Sequence, residues 1–242
     1  MEASMNKEQP LISVVTVCRN ACAMLARTME SVWMQTYTNI EYIVVDGDST
    51  DGTLELLKKS SDKISVWISE SDKGIYDAMN KGGSLANGQW VIFMNAGDCF
   101  ADSYVLERIF IKSYQADVIY GDVLKNGEVK KSLSPRNSHR MYFCHQSVLI
   151  RKELLKEFPF DISHRMSADF KQMKQLWLAG KRFVQLDFPI AIFDTQGVSN
   201  TSRSTGLWDN IRIIHEVDSL SEQIRLLPRL YFVWLSCRLR GR

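Results

Sequence analysis

Four apolar runs return about every 25 residues through the first hundred positions, and this recurrence limits what the chain can fold into more than any other feature. They are Leu11–Cys18 (LISVVTVC), Ile40–Val45 (IEYIVV), Ile64–Ser69 (ISVWIS) and Trp90–Met94 (WVIFM). Short, continuous apolar runs bounded by turn residues suit strands buried on both faces. The gaps between them read as helices. The first carries Leu25, Met29 and Val32 at i, i+4, i+7 and runs to about Gln35. The second, from about Gly52 to Lys59, buries Leu54 and Leu57, with Ser49, Thr50 and Asp51 offered as caps. The third spans about Ile75 to Ala86 and stops at Asn87-Gly88. Alternation of this kind makes βαβ units, which require a parallel sheet with right-handed crossovers. The expected fold class is therefore α/β, a mostly parallel central sheet flanked by helices.

The second half is less regular. Val118–Tyr120 reads as a fifth strand ending at Gly121-Asp122. Between 123 and 150, Asn126-Gly127 and short alternating stretches predict a hairpin or antiparallel edge strands. Ser167 is placed to cap a helix from Ala168 to about Ala179, with Phe170, Met173 and Trp177 on one face and Gly180 at its end. Residues 194–206 form a polar loop, and two helical stretches are expected after Leu207, broken at Pro228.

With 45% apolar and 24% charged residues among 242, the chain has material for a substantial core and the make-up of a soluble globular protein. The start, MEASMNKEQP, lacks the apolar stretch of a secretory signal, and no run reaches the roughly 20 residues that a membrane-spanning helix needs. Five cysteines, Cys18, Cys22, Cys99, Cys144 and Cys237, include no CxxC pair and no zinc-type spacing, which suits reduced thiols in the cytoplasm. A net charge of +2 gives no reason to expect a nucleic-acid partner. The charge is unevenly spread: residues 223–242 hold five arginines and no acid, so the rest of the chain stands five lower, at −3.

The residues just past each strand carry the chemistry. Ligands of open α/β sheets sit beyond the carboxyl ends of the strands. There the chain places Arg19, then Asp46 and Asp48, then Glu70 and Asp72, then Asp98, then Asp122. Carboxylates gathered at one edge repel unless a cation sits among them, and hard Mg2+ or Mn2+ normally shares its shell with substrate phosphates. One carboxylate deeper in a cleft also suits a nucleobase N–H. The structural alternative is that these acids cap helices and turns. It is preferred for Asp51 and, on the stretch QWVIFMNAGDCF (89–100) alone, for Asp98. No GxGxxG, GxxxxGK[ST], GxSxG or HExxH occurs, so phosphate binding has to rest on a metal and side chains.

Taken together, VVTVCRN (14–20), EYIVVDGDSTDGT (41–53), SESDKGIYDAMNKGGSLANGQWVIFMNAGD (69–98), YGD (120–122), HQS (145–147) and SADF (167–170) resemble a family 2 glycosyltransferase of the GT-A fold, from the branch found in bacterial polysaccharide synthesis clusters. The resemblance is dense over 10–100, thinner over 115–180 and absent after about 205. It implies a GT-A domain over 1–205, with a nucleotide-binding half at 10–100 and an acceptor and catalytic half at 101–205. A helical, basic and apolar C-terminal extension would follow over 206–242. The activity implied is inverting hexosyl transfer from a UDP- or GDP-linked sugar to a saccharide or lipid-linked acceptor, with Mn2+ or Mg2+. Carried over by position, Asp46 reads the base, Thr16 and Arg19 line the nucleotide pocket, and Asp77, Asn80, Lys81 and Asn95 line the donor site. Asp98 is the metal ligand of a DxD-like motif, here NAGD, with Asn95 and Gly97 where many members carry further acids. Asp169 is the base that deprotonates the acceptor hydroxyl, and His145 faces the acceptor or a phosphate. The plain alternatives are a solvated helix face for Asp77, Asn80 and Lys81, a first-turn helix acid for Asp169, and a buried, hydrogen-bonded ring for His145.

Leu226, Leu227, Leu230, Tyr231, Phe232, Val233, Trp234 and Leu235, flanked by arginines, suit peripheral contact with an anionic surface through 224–242, at the inner face of the cell membrane. A helix packed on the domain or in a homodimer is the alternative. Two other functions stay open on the sequence: a nucleotidyltransferase with a similar cleft, and a catalytically degenerate sugar-binding or scaffold protein.

Overall fold

The computed structural model describes residues 9–194 and 203–239. Strands β1 (Ile12–Cys18), β2 (Ile40–Asp46), β3 (Val66–Ser69) and β4 (Trp90–Phe93) pair in parallel in the order β3-β2-β1-β4. Successive side chains of a strand face opposite ways. Val14, Val44 and Ile92 therefore share one core while Val15, Val45 and Phe93 share the other. On the first face α1 (Cys22–Trp33), α2 (Thr53–Lys59) and α4 (Val105–Phe110) bury Leu25, Met29, Leu57, Leu106 and Ile109. On the second, α3 (Ile75–Leu85), α5 (Lys152–Glu157) and α6 (Ala168–Leu178) bury Ala78, Met79, Leu154, Met173 and Leu176. Each fully buried Leu, Ile or Met contributes about 1.5–3 kcal/mol of hydrophobic stabilisation. Helices on both faces are the reason the strand sequences read as unbroken apolar runs.

Beyond β4 the sheet continues as β8 (Val148–Arg151), β6 (Val118–Lys125), β9 (Phe183–Ile192) and β5 (Cys99–Phe100), with β7 (Glu128–Lys130) paired to β6. Here the direction mixes. The strand β8 runs antiparallel to both β4 and β6, and β5 runs antiparallel to β9, while β6 and β9 are parallel. The hairpin between β6 and β7 turns at Asn126-Gly127, whose φ values of 52° and 78° give the doubly left-handed turn that matches strand twist.

Three expectations are corrected. The fifth strand does not end at Gly121-Asp122. It passes through a bulge there and runs on to Lys125, because β9, not foreseen from sequence, lies alongside. A Cβ at Gly121 would sit 2.8 Å from the Phe188 carbonyl oxygen, and Pro189, which has no N–H to donate, falls at the register shift, a place where sheets tolerate proline. Second, Ser167 precedes α6 but its side chain caps nothing within the helix; the hydroxyl donates to the Gly206 carbonyl at 3.4 Å. Third, Pro228 lies inside α8 (Leu220–Leu239), and the break that separates it from α7 (Arg203–Val217) falls at 218–219. The hydrogen bond Pro228 cannot donate belongs to the Ile224 carbonyl, on a turn whose side chain is 69% exposed, so water can replace it.

The helices α7 and α8 pack on each other through Ile211, Ile214, Leu226, Leu227 and Leu230. They are fastened to α6 by polar groups. The Lys171 ammonium lies 2.6 Å from carboxylate oxygens of both Asp161 and Glu216, and Lys174 forms a buried ion pair with Asp218 at 2.8 Å. No described helix is long and apolar enough to cross a membrane. Of the polar stretch 194–206, residues 195–202 lie outside the described residues, as does the start of the chain through residue 8.

Candidate active site

At the carboxyl edge of the parallel strands, Cys18, Asp46 and Ser69 stand in register on β1, β2 and β3. Asp46 is fully buried and its carboxylate is spoken for. It accepts from the Ser49 N–H (3.0 Å) and hydroxyl, from the Ser69 hydroxyl (2.6 Å) and from the Cys18 thiol (3.6 Å). Thr16 is also fully buried; its hydroxyl donates to the Met94 carbonyl at 2.8 Å and lies 3.1 Å from the Tyr42 hydroxyl. It ties β1 to the end of β4 and does not open to the cleft. Arg19 does face solvent, and it packs with Asp72 over Gly47. A Cβ at Gly47 would lie 2.3 Å from Asp72 Oδ2 and 3.4 Å from Arg19, so the floor between them is bare backbone.

The first turn of α3 lies beside this floor. Asp77 accepts the Lys73 N–H at 3.0 Å, a local cap. Lys81 bridges to Glu70 at 2.8 Å and to the Ser71 carbonyl at 2.9 Å, with Asp77 at 3.8 Å. Its bond to Glu70 holds the ammonium above the usual lysine range. Asn80 behaves differently. Its amide donates to the Phe160 carbonyl (2.8 Å) and its oxygen accepts the Phe160 N–H (2.9 Å), so it clamps the approach to α6.

The turn after β4 is built from inside. Gly97 takes φ +106°, and the buried Thr28 hydroxyl accepts the Gly97 N–H (2.9 Å) while donating to the Asp98 carbonyl (2.7 Å). The Asp98 side chain is only 4% exposed, accepts the Asp194 N–H at 2.9 Å and is hydrogen-bonded by Gln146. Burial pushes its carboxyl up to about 7, and the Asp194 charge adds to the rise. The Asp194 carboxylate itself lies over Gly97, where a Cβ would be 2.5 Å from its oxygen. The Asn95 amide oxygen is buried in the same turn, with no hydrogen-bond partner among the described residues. Two carboxylates and an amide oxygen are hard donors of the kind Mg2+ and Mn2+ take, and a cation would relieve their repulsion.

The raised Asp98 carboxyl has a consequence for stability. Between about pH 4 and 7 the folded chain keeps a proton that the unfolded chain has lost, so stability falls as pH rises through that window. Asp98→Asn removes the penalty. Its melting temperature is expected to match wild type near pH 4 and to exceed it increasingly up to pH 8, by an amount worth up to roughly 4 kcal/mol. A difference that does not change with pH contradicts this.

Across from this turn, Asp169 lies half-buried in the first turn of α6. Its Oδ1 accepts the Tyr76 hydroxyl and the Phe170 N–H, both at 2.9 Å. Between the two acids runs a single 3-10 turn, His145–Ser147. Its Gln146 bonds Asp98, and its His145 ring stacks on Phe93 (5.6 Å, 29°) and meets Phe160 edge-on. Burial pushes the imidazole below its ordinary value, against the pull of the Asp169 charge. Among the described residues neither ring nitrogen has a hydrogen-bond partner, so the ring is buried, as the plain alternative has it, but not hydrogen-bonded.

The sequence model of glycosyl transferase family 2 matches residues 13–176, more than half of the chain. This protein belongs to glycosyl transferase family 2. A PGL/p-HBAD biosynthesis glycosyltransferase of Mycobacterium bovis is 30% identical over 172 residues, covering 66% of this chain and 67% of that protein. Among solved structures, S. aureus TarS 1-349 in complex with UDP superposes with a TM-score of 0.66 at 19% identity, over 86% of this chain and 66% of the other. A mannosyltransferase, PcManGT from Pyrobaculum calidifontis in complex with GDP-Man and Mn2+, gives 0.63 at 15%, over 87% and 64%. The chain thus spans about two thirds of the length of each of these proteins. The fold is the GT-A type expected from sequence, and the enzyme is a glycosyltransferase.

Within this glycosyltransferase, the site residues sort into two groups. Arg19, Asp72, Lys81 and Glu70 form the polar floor at the β1–β3 edge, and Asp98, Asp194, His145, Gln146, Tyr76 and Asp169 form the second group around the 3-10 turn. Sequence reasoning missed Tyr76, Gln146, Thr28 and Asp194. The first two lie inside stretches that carry the family resemblance, but Thr28 sits mid-helix and Asp194 opens a polar loop, where nothing local distinguishes them. One further acidic cluster, Asp161, His164 and Glu216, has metal-like spacing. Lys171 already supplies its cation, with the ammonium 2.6 Å from both carboxylates.

Proposed function

We propose that this glycosyltransferase moves a hexosyl group, with inversion, from a UDP- or GDP-linked sugar to a saccharide or lipid-linked acceptor in cell-surface polysaccharide synthesis. The observation that carries the reading is Asp169. It is a half-buried carboxylate with one oxygen held by two donors, one 3-10 turn away from a second buried carboxylate, Asp98. Inverting transfer needs one base. The acceptor O–H gives its proton to Asp169 while its oxygen bonds to the anomeric carbon, and the bond from that carbon to the diphosphate breaks on the opposite face. Arg19, exposed beside Gly47, is the cation that a nucleotide phosphate would meet at this edge, and Asp46 would recognise a base only if one of its present donors moved aside. Asp98, Asp194 and Asn95 are the residues that would hold Mn2+ or Mg2+. When bound, such an ion offsets the charge building on the leaving diphosphate. The test is hydrolysis and transfer with UDP-glucose, UDP-N-acetylglucosamine and GDP-mannose, with and without Mn2+. Metal-stimulated nucleoside diphosphate release supports the reading. No turnover of any of the three donors, or turnover that Mn2+ and its chelation leave unchanged, contradicts it.

The lipid-linked arm rests on α8. Leu220, Ile224, Phe232, Leu235 and Leu239 are each more than half exposed and share one side of the helix, which carries no acid there. Arg225 and Arg229 border that side at one edge and Arg238 at the other, and an apolar stripe between cations suits the surface of an anionic bilayer. The protein is expected to sediment with phosphatidylglycerol vesicles at low salt, and Phe232→Glu to lower the bound fraction at least tenfold. A chain that stays in the supernatant contradicts this, and a dimer in sedimentation velocity would assign the stripe to a second copy.

A further inference from the structure

The hydrogen bonds around Asp169 divide its two oxygens. Oδ1 accepts from the Tyr76 hydroxyl and the Phe170 N–H, each at 2.9 Å, while no described residue donates to Oδ2. We propose that Tyr76 is a positioning residue that commits Oδ1 to holding the carboxylate still and leaves Oδ2 as the oxygen that takes the acceptor's proton. This deepens the reading of Asp169 as the base and rests on it.

The mount for Tyr76 is stiff. It stands in the first turn of α3, a helix pressed so closely to the sheet that a Cβ at Gly82 would lie 2.4 Å from Val15. Its ring packs on Phe160 with centroids 5.6 Å apart, and Phe160 is gripped through both backbone groups by Asn80, one helical turn further on. Burial and the neighbouring Asp169 charge push the phenol's ionisation well above its ordinary value, so the hydroxyl remains a donor throughout the working range. A carboxylate has only acceptor sites, and occupying one oxygen with two fixed donors removes rotation about its last bond. What remains is Oδ2, which accepts from no described residue. The same contacts tie a helix of the donor half to the helix that carries the base, across 93 residues of sequence.

A double-mutant cycle on the full chain tests this, using hydrolysis or transfer of whichever donor of the UDP-glucose, UDP-N-acetylglucosamine and GDP-mannose panel the wild type turns over. Tyr76→Phe is expected to lower kcat about tenfold or more, with the KM for donor within twofold and the melting temperature unchanged. In the Asp169→Asn background the same substitution should cost nothing further, because a residue that acts only through the carboxylate has nothing left to position. An effect that multiplies through in both backgrounds, or a Tyr76→Phe enzyme as fast as wild type, overturns the proposal while leaving the base itself standing. An Asp169→Asn enzyme that turns over normally, or a wild type inert toward every donor, overturns both. Should Tyr76→Phe not fold, fluorotyrosines at position 76 keep ring and hydroxyl and alter only donor strength. A kcat that follows the degree of fluorination supports the assignment, and a flat one refutes it.

Discussion

Asp169→Asn is expected to lower transfer about a thousandfold, within the range that a positioned general base supplies. Asparagine keeps the shape, and its carbonyl oxygen can still accept from Tyr76 and Phe170, so the fold and the KM for donor should hardly move. What it lacks is a second oxygen able to take a proton. The loss should therefore fall on kcat and on kcat/KM alike, the mark of an interaction made in the transition state. Stopped-flow or single-turnover measurement of nucleoside diphosphate release would read it directly. A variant within tenfold of wild type would move the base elsewhere, and His145 would be the next group to examine, since its buried nitrogens have no partner among the described residues.

The second large effect is on stability. Lys174 and Asp218 are a buried pair, with side chains 1% and 0% exposed, and they join α6 to the junction of α7 and α8. Ser138 and Asn137 complete the ammonium's hydrogen bonds, and Asn137 also donates to Asp218 at 2.8 Å. Lys174→Ala leaves Asp218 charged in a dry setting and should cost about 3–5 kcal/mol. For a chain of this size that corresponds to a melting temperature lower by roughly 6–20 °C. Replacing both partners together, as Lys174→Met with Asp218→Leu, should recover most of the loss, because apolar packing can stand in for a buried pair but half a pair cannot. A thermal melt of the single and double variants checks both halves of this. Because Lys174 stands on the same helix as Asp169, the single variant should also lose activity near its melting point before the sheet unfolds.

The parallel half of the fold was legible because its information is local. Strand runs at 12–18, 42–46 and 90–93 are marked by continuous burial, and the helices between them by spacing of three and four. The strand β9 was not, since FVQLDFPIAI contains Asp187 and Pro189 and makes sense only beside the bulge in β6. Pro228 misled for the opposite reason: a strong local breaker was tolerated where the affected carbonyl faces water. At the site, the same division holds. Asp98, Asp169 and His145 were singled out by position within short motifs, and the fold sets them around one 3-10 turn. Thr16, Asp46 and Asn80 were assigned to the nucleotide and donor site on the same grounds, and their side chains are hydrogen-bonded to Met94, Ser49 and Phe160. The fold also brings a second acid, Asp194, beside Asp98 from 96 residues away, and no local signal marks it.

The central claim is that one carboxylate, Asp169, drives direct displacement at the anomeric carbon. The configuration of the product tests it most directly, read from the anomeric proton coupling in the NMR spectrum of the purified glycoside. From an α-linked UDP- or GDP-glucosyl donor the account predicts a β-linked product, and an α-linked product would contradict it.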